Sequence, residues 1–122
     1  MNTKVLPKEL ALELCERSIC RWQMAAVLSD THGIFAWGWN HMLTDAPEVG
    51  AGMHAERFAI MMRANRKRLQ GARLTVAGKR GIKAILSKPC PQCLALAIKY
   101  KIKTIEYLTK KGTWETIKLT YT

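Results

Sequence analysis

Long apolar segments are missing from this 122-residue sequence. No run is long enough to cross a bilayer, and the first residues lack the apolar stretch of a secretory signal peptide. These absences argue against a membrane protein with helical spans, and we expect a cytoplasmic location. Internal repeats, linkers and low-complexity segments are missing as well, which predicts one domain over residues 1–122.

Acidic residues are scarce relative to basic ones. The sequence has 9 Asp and Glu against 20 Lys and Arg, for a formal net charge of +11. A surface of this kind attracts polyanions, and single-stranded DNA or RNA is one candidate partner. A small substrate with a phosphate group needs only one or two of these cations, so the charge alone leaves both kinds of ligand open.

Cysteine is infrequent, with four residues, and its placement is more informative than its number. Cys15 and Cys20 lie outside the Cys90–Cys93 pair, and we expect them to be ordinary thiols in a reducing compartment. Cys90 and Cys93 are three residues apart and are flanked by proline, which is tolerated near a helix start. The two thiols are therefore predicted on one face of a helix at its positive end, where the thiolate form is favoured.

A histidine and a glutamate lie upstream of these cysteines. His54, Cys90 and Cys93 make three ligands that suit Zn²⁺ and leave the fourth tetrahedral position open for water, as in a catalytic zinc site. Glu56 is two residues from His54. It can reach the water without binding the metal.

The pattern His54-x-Glu56 with Pro89-Cys90-x-x-Cys93 resembles the signature of the zinc-dependent cytidine/deoxycytidylate deaminase superfamily. The resemblance extends over most of the chain. It implies that His54, Cys90 and Cys93 hold Zn²⁺, which lowers the pKa of a water to roughly 7. It also implies that Glu56 moves the proton of this water to the ring nitrogen and then to the leaving amine of a cytosine or adenine.

The same resemblance implies several substrate contacts. A G-x-N sequence ends at Asn40, whose side chain touches the sugar or base in the family, although a turn-forming role is the alternative. Trp39 and His41 are candidates for the wall of the base pocket, and Ala55 lies inside the motif. Lys88 stands where many relatives have Glu or Thr, which disfavours the tRNA-adenosine subgroup and places a cation near a substrate phosphate.

Two other interpretations of the cysteines remain open. A C-x-x-C pair in an intracellular chain is also typical of a redox site. A structural zinc site would need a fourth ligand, for which His32 or His41 is available. Neither interpretation accounts for Glu56 and Pro89.

The hydrophobic patterning predicts an α/β fold, and the resemblance refines it to a three-layer α/β/α sandwich of cytidine-deaminase-like type with a mixed five-stranded sheet. Phe35, Trp37 and Trp39 are expected on one face of the second strand. A tight turn makes the last two strands an antiparallel hairpin, as in the free-nucleoside branch of the superfamily. Predicted helices cover residues 7–18, 53–69 and 91–100, and predicted extended segments cover residues 21–29, 34–40, 72–77, 82–86, 101–109 and 113–121.

These observations predict a zinc-dependent hydrolytic deaminase that converts a cytosine base to uracil. Its expected substrate is free cytidine or deoxycytidine, or CMP or dCMP. A deaminase acting on single-stranded DNA or RNA is the second hypothesis, and a zinc-stabilised, non-catalytic nucleic-acid-binding module is the third. The resemblance also implies a homo-oligomer.

Overall fold

The structure of the chain is a computed structural model, which describes residues 6–42, 52–53, 59 and 66–120. Its elements in chain order are α1 (Pro7–Leu14), β1 (Gln23–Asp30), β2 (Gly33–Trp39), β3 (His41–Met42), β4 (Gly52–Met53), α2 (Arg66–Leu69), β5 (Arg73–Arg80), β6 (Lys83–Ala84), α3 (Pro91–Lys99), β7 (Thr104–Leu108) and β8 (Trp114–Lys118). In this part of the chain, no helix is both long and apolar enough to cross a membrane.

Five of these strands form the body of one mixed sheet, in the order β2-β1-β5-β7-β8. Strands β5 and β7 are parallel, and α3 makes the crossover that a parallel pair requires. The β1–β2, β1–β5 and β7–β8 pairs are antiparallel. The mixed sheet and the final hairpin were both predicted. The predicted extended run at residues 82–86 contributes only the two-residue strand β6, which pairs with the end of β5 as a short sixth strand.

Helices cover both faces of this sheet. Alternate residues of β5 enter two different clusters, because successive side chains of a strand point to opposite faces. Leu74 and Val76 pack in the cluster that contains Leu69 of α2 and Ala97 of α3. Ala77 packs in a second cluster with residues of α1. The predicted three-layer α/β/α arrangement is therefore confirmed.

The first helix is shorter than its predicted range of 7–18. It begins at Pro7, whose ring suits a helix start. It continues after Leu14 as a 3₁₀ turn at Cys15–Arg17, and Ser18 is already extended. Its buried side chains include Ala11 and Leu14, whereas Leu6 is 54% exposed.

The prediction that Phe35, Trp37 and Trp39 share one face is wrong for Phe35. The β1–β2 register shifts between Leu28 and Ser29, and Phe35 is left out of the pairing ladder. An extra residue in one strand moves its side chain to the other face. Phe35 therefore packs on the face of α2 and α3, while Trp39 packs on the face of α1.

Candidate active site

The two motif cysteines lie where β5 and β7 end. These strands are parallel, and the helix that joins them, α3, begins at their carboxyl edge. Ligands of open α/β sheets commonly bind at this edge. Cys90 is the residue before α3, and Pro91 stands at the helix start. The backbone N–H of Leu94 donates to the Cys90 carbonyl at 2.8 Å, which closes the first turn.

The surroundings of the two thiols suit a metal ligand pair. Cys93 is 4% exposed and Cys90 is half-buried. They are i and i+3 at a helix N-terminus, so both face the same side at the positive end of α3. No disulfide joins any of the four cysteines. Within the described residues no group of three possible metal ligands is present, since the third predicted ligand, His54, lies outside them.

The segment that leads to Cys90 is held against the sheet by two backbone hydrogen bonds and is braced by a third within the segment. The backbone N–H of Ile85 donates to the Gly78 carbonyl at 3.1 Å, and that of Ser87 donates to the Leu108 carbonyl at 2.8 Å. The Ser87 hydroxyl donates to the Ile85 carbonyl at 2.9 Å. A Cβ at Gly78 would lie 2.5 Å from Met24 Sδ and 2.8 Å from Ser87 Oγ. Glycine is therefore needed at residue 78, inside a strand that was predicted to end at residue 77.

Asn40 lies at the same edge of the sheet, and its side chain is bonded to the start of β1. Its Oδ1 accepts from Ser18 Oγ at 2.6 Å and from the Met24 N–H at 2.9 Å. Its Nδ2 donates to the Trp22 carbonyl at 2.7 Å. These bonds give Asn40 a structural role at this edge of the sheet.

The residue after Asn40 connects this edge to the histidine motif. The short strands β3 and β4 are antiparallel, and His41 pairs with Met53. Met53 immediately precedes His54. The motif residues themselves, His54, Ala55 and Glu56, lie outside the described residues, as does the side chain of His41, so the roles assigned to them stay predictions.

Trp39 and Lys88 have contrasting surroundings. The Trp39 ring packs against the cluster under α1, and the guanidinium carbon of Arg17 is 5.9 Å from its centroid. Lys88 is exposed between the buried residues Ser87 and Pro89, two positions before Cys90.

The sequence matches the family model described as "Cytidine and deoxycytidylate deaminase zinc-binding region" over residues 2–109. The chain belongs to this deaminase family. The superfamily suggested by the motif is therefore confirmed, and the family description includes zinc. No curated protein matches the sequence.

Several solved structures share the fold of this family member. The cytidine deaminase of Burkholderia pseudomallei superposes with a TM-score of 0.67 at 21% identity, covering 92% of this chain and 89% of that one. The dCMP deaminase of cyanophage S-TIM5 in its apo form gives 0.66 at 20% identity, covering 84% and 79%. Acinetobacter baumannii RibD gives 0.56 at 21% identity, and the match covers 84% of this chain but 27% of RibD. The predicted cytidine-deaminase-like fold is confirmed.

Three residues that support the candidate active site were not identified by sequence reasoning. Gly78 could have been found, because an isolated glycine within an alternating strand often marks a close approach of the backbone. Ser18 and Ser87 carry no comparable signal, since a buried serine is indistinguishable in sequence from an exposed one. Both are buried in the structure.

Cys15 of the deaminase is chemically distinct from the two motif cysteines. Cys15 is fully buried on the α1 face of the sheet. Burial raises the pKa of Cys15 from 9.0 to about 11, which keeps the thiol protonated at neutral pH. A protonated, inaccessible thiol is neither a ligand nor a nucleophile. This separates Cys15 from Cys90 and Cys93.

Proposed function

We propose that this deaminase acts on the cytosine base of a free nucleoside or nucleotide, such as cytidine or dCMP, and releases uracil product and ammonia. The observation that carries the proposal is the Cys90–Cys93 pair at the N-terminus of α3, at the strand edge where Asn40 also lies. Two further features support a free nucleotide. The chain ends its sheet in an antiparallel β7–β8 hairpin, and a cyanophage neighbour of the same fold was crystallised with dCMP and dUMP.

The donor set of the chain fits Zn²⁺. Two thiols on one face at a helix N-terminus supply soft ligands, and the imidazole of His54 would complete a three-residue set. When bound, Zn²⁺ would act as a Lewis acid that lowers the pKa of water.

Glu56 would move the protons of the reaction. Its carboxylate would take one proton from the attacking water and deliver it to ring N3 of cytosine. As the C4–N4 bond breaks, the same carboxyl group would pass a second proton to the departing amine. Water thus supplies the oxygen and both protons, ammonia leaves, and the ring is left as the keto base.

Two described residues would position the substrate. Lys88 is exposed on the segment before Cys90, so its ammonium group can meet the phosphate of a nucleotide. Asn40 is held by its bonds to the start of β1, and its second Nδ2–H would donate to a sugar hydroxyl. The rigid attachment of Asn40 would lower the entropic cost of holding the sugar.

The proposal is tested by ammonia release from zinc-loaded protein offered cytidine, deoxycytidine, CMP, dCMP and adenosine in parallel. Glu56→Gln should retain zinc and lose turnover by at least about 100-fold, because it removes a general acid–base. Glu9→Gln, at an exposed position of α1, is the matched control and should keep full activity. Retained turnover in Glu56→Gln, or loss of its zinc, would contradict the assignment.

A further inference from the structure

A groove of about 790 Å³ lies at the edge of the sheet where β5 ends and β1 begins. We call it the basic groove and define it by Trp22, Arg80, Lys83, Ile85, Lys110 and Lys111, which lie along its walls. These residues come from four separate parts of the chain, namely the start of β1, the end of β5 with β6, the segment toward Cys90, and the β7–β8 turn.

The electrostatic character of the basic groove is uniformly positive. Its lining includes four cationic side chains and, among the described residues, no Asp or Glu. Within that part of the chain, Arg80, Lys83, Lys110 and Lys111 are also without an ion pair, whereas Lys79, one residue before Arg80, is bonded to Glu16 at 3.0 Å. Uncompensated cations along a concave surface concentrate the field and attract polyanions.

An exposed indole stands at one end of the basic groove. Trp22 is 49% exposed, and the guanidinium carbon of Arg80 is 4.9 Å from its ring centroid. The cation–π contact orients the ring and leaves much of the indole open to solvent. An oriented aromatic ring beside a row of cations is the combination that binds single-stranded nucleic acid, with bases stacked on the ring and phosphates on the cations.

The basic groove lies on the same face of the sheet as α3, whose start carries the candidate active site. Met24 and Val76 belong to the cluster on the α3 face, and the two-residue alternation places Trp22 and Arg80 on that same face. Ile85 forms part of the groove wall, and the chain runs from it directly to Cys90. In the order of the sheet, β1 and the β7–β8 turn are two to three strand spacings apart, roughly 10–14 Å at about 4.8 Å per spacing.

We propose that the basic groove binds single-stranded nucleic acid, with Lys83, Lys110 and Lys111 on successive phosphates and Trp22 stacked on a base. A strand held there runs toward the edge of the sheet that carries Cys90. This function goes beyond turnover of a free nucleotide. The spread of the cations across several strand positions, in an open groove rather than a closed pocket, favours a polymer over a single phosphate group.

The test uses zinc-loaded protein and a fluorescein-labelled 15-residue oligothymidylate, followed by fluorescence anisotropy at several salt concentrations. Thymine has no exocyclic amine, so binding is measured independently of deamination. The triple variant Lys83→Gln, Lys110→Gln, Lys111→Gln should bind at least about 10-fold more weakly at low salt. The slope of log K against log salt should fall by about 2, since each phosphate contact to a single strand contributes about 0.7.

A matched triple variant separates the basic groove from general charge. Lys99, Lys103 and Lys118 are exposed and lie at the opposite edge of the sheet, near the end of α3, the start of β7 and the end of β8. Replacing these three by Gln removes the same charge and should weaken binding by less than about 3-fold. Equal losses in the two triple variants, each checked for folding by circular dichroism, would overturn the proposal.

The contribution of Trp22 to binding distinguishes a nucleic-acid ligand from a small phosphate ion. Trp22→Ala should weaken oligothymidylate binding by roughly 5-fold or more, while Trp37→Ala, at a position 40% exposed on β2, should leave it unchanged. Inorganic tripolyphosphate is the competitor. If tripolyphosphate binds as tightly as the oligonucleotide and Trp22→Ala has no effect, the basic groove is a simple anion site and the proposal is wrong.

Discussion

The backbone N–H of Ser87 donates to the carbonyl of Leu108 at 2.8 Å. This bond ties the segment before Cys90 to the last residue of β7, the strand that the chain reaches only after passing through α3. Ser87 is itself fully buried. The first thiol of the candidate zinc site is therefore positioned from both sides, by the strand before its helix and by the strand after it.

Gly78→Ala should destabilise the protein by about 1–3 kcal/mol, the usual cost of overpacking. The added methyl group would lie 2.8 Å from Ser87 Oγ and 2.9 Å from Ile85 Cγ1, so the segment toward Cys90 must move. Thermal unfolding of the zinc-loaded and chelated protein measures the effect. Zinc affinity should fall together with the melting temperature. An unchanged melting temperature and zinc affinity would show that this close approach is unimportant.

Asn40→Ala should lower the free energy of unfolding by about 1–3 kcal/mol, since it leaves buried hydrogen-bonding groups without their partner. The variant loses the bonds to Ser18 Oγ, the Met24 N–H and the Trp22 carbonyl. Urea unfolding gives the stability, and KM for dCMP gives the substrate contribution. Asn40→Asp keeps the two acceptor bonds and loses the Nδ2 donor. A change in KM with no change in stability would rule out the structural role.

Acid should weaken the structure through one ion pair. Arg68 Nε and Nη2 each donate to an Asp30 carboxylate oxygen at 2.8 Å. These hydrogen bonds lower the pKa of Asp30 from 3.8 to about 2. Because the folded-state pKa is depressed, the pair contributes fully above about pH 4 and its contribution is lost as pH falls toward 2.

Asp30→Asn tests this pH dependence. Urea unfolding between pH 5 and pH 2 should show a smaller loss of stability in Asp30→Asn than in the parent, because the carboxylate that titrates is gone. Glu9→Gln is the control, since Glu9 is an exposed residue of α1. Parallel curves for the parent and Asp30→Asn would contradict the assignment of the acid-sensitive step to Asp30.

Removing zinc should make the motif thiols available to a thiol reagent. In the zinc-loaded protein at pH 7, the reagent should react with the half-buried Cys20; chelation should add the half-buried Cys90, and Cys93, which is 4% exposed, should react more slowly. Cys15 should remain unreactive in the folded state, because burial raises its pKa to about 11. Thiol counting before and after chelation, followed by mass spectrometry, identifies the labelled residues. No increase on chelation would argue against these two cysteines as ligands.

The sequence by itself determined the local structure and the family. Alternation of Leu74 and Val76 predicted a strand, because side chains of period two can fill one face of a sheet. The proline residues around Cys90 predicted a helix start, because proline has no N–H to lose there. The motif spacing identified the deaminase superfamily. Each half of the motif, His54-x-Glu56 and Pro89-Cys90-x-x-Cys93, is a short segment whose local geometry is specified by its own residues.

Only the tertiary structure decided how distant segments meet. The bulge at Phe35, the bonding of the Asn40 amide and the pairing of Trp22 with Arg80 each depend on residues from separate strands. The pairing register of two strands and the position of a strand in the sheet depend on which surfaces are buried together. The sequence of a single segment does not contain that information. The basic groove has the same origin, since Lys83 and Lys110 line one groove only when the strand ends assemble.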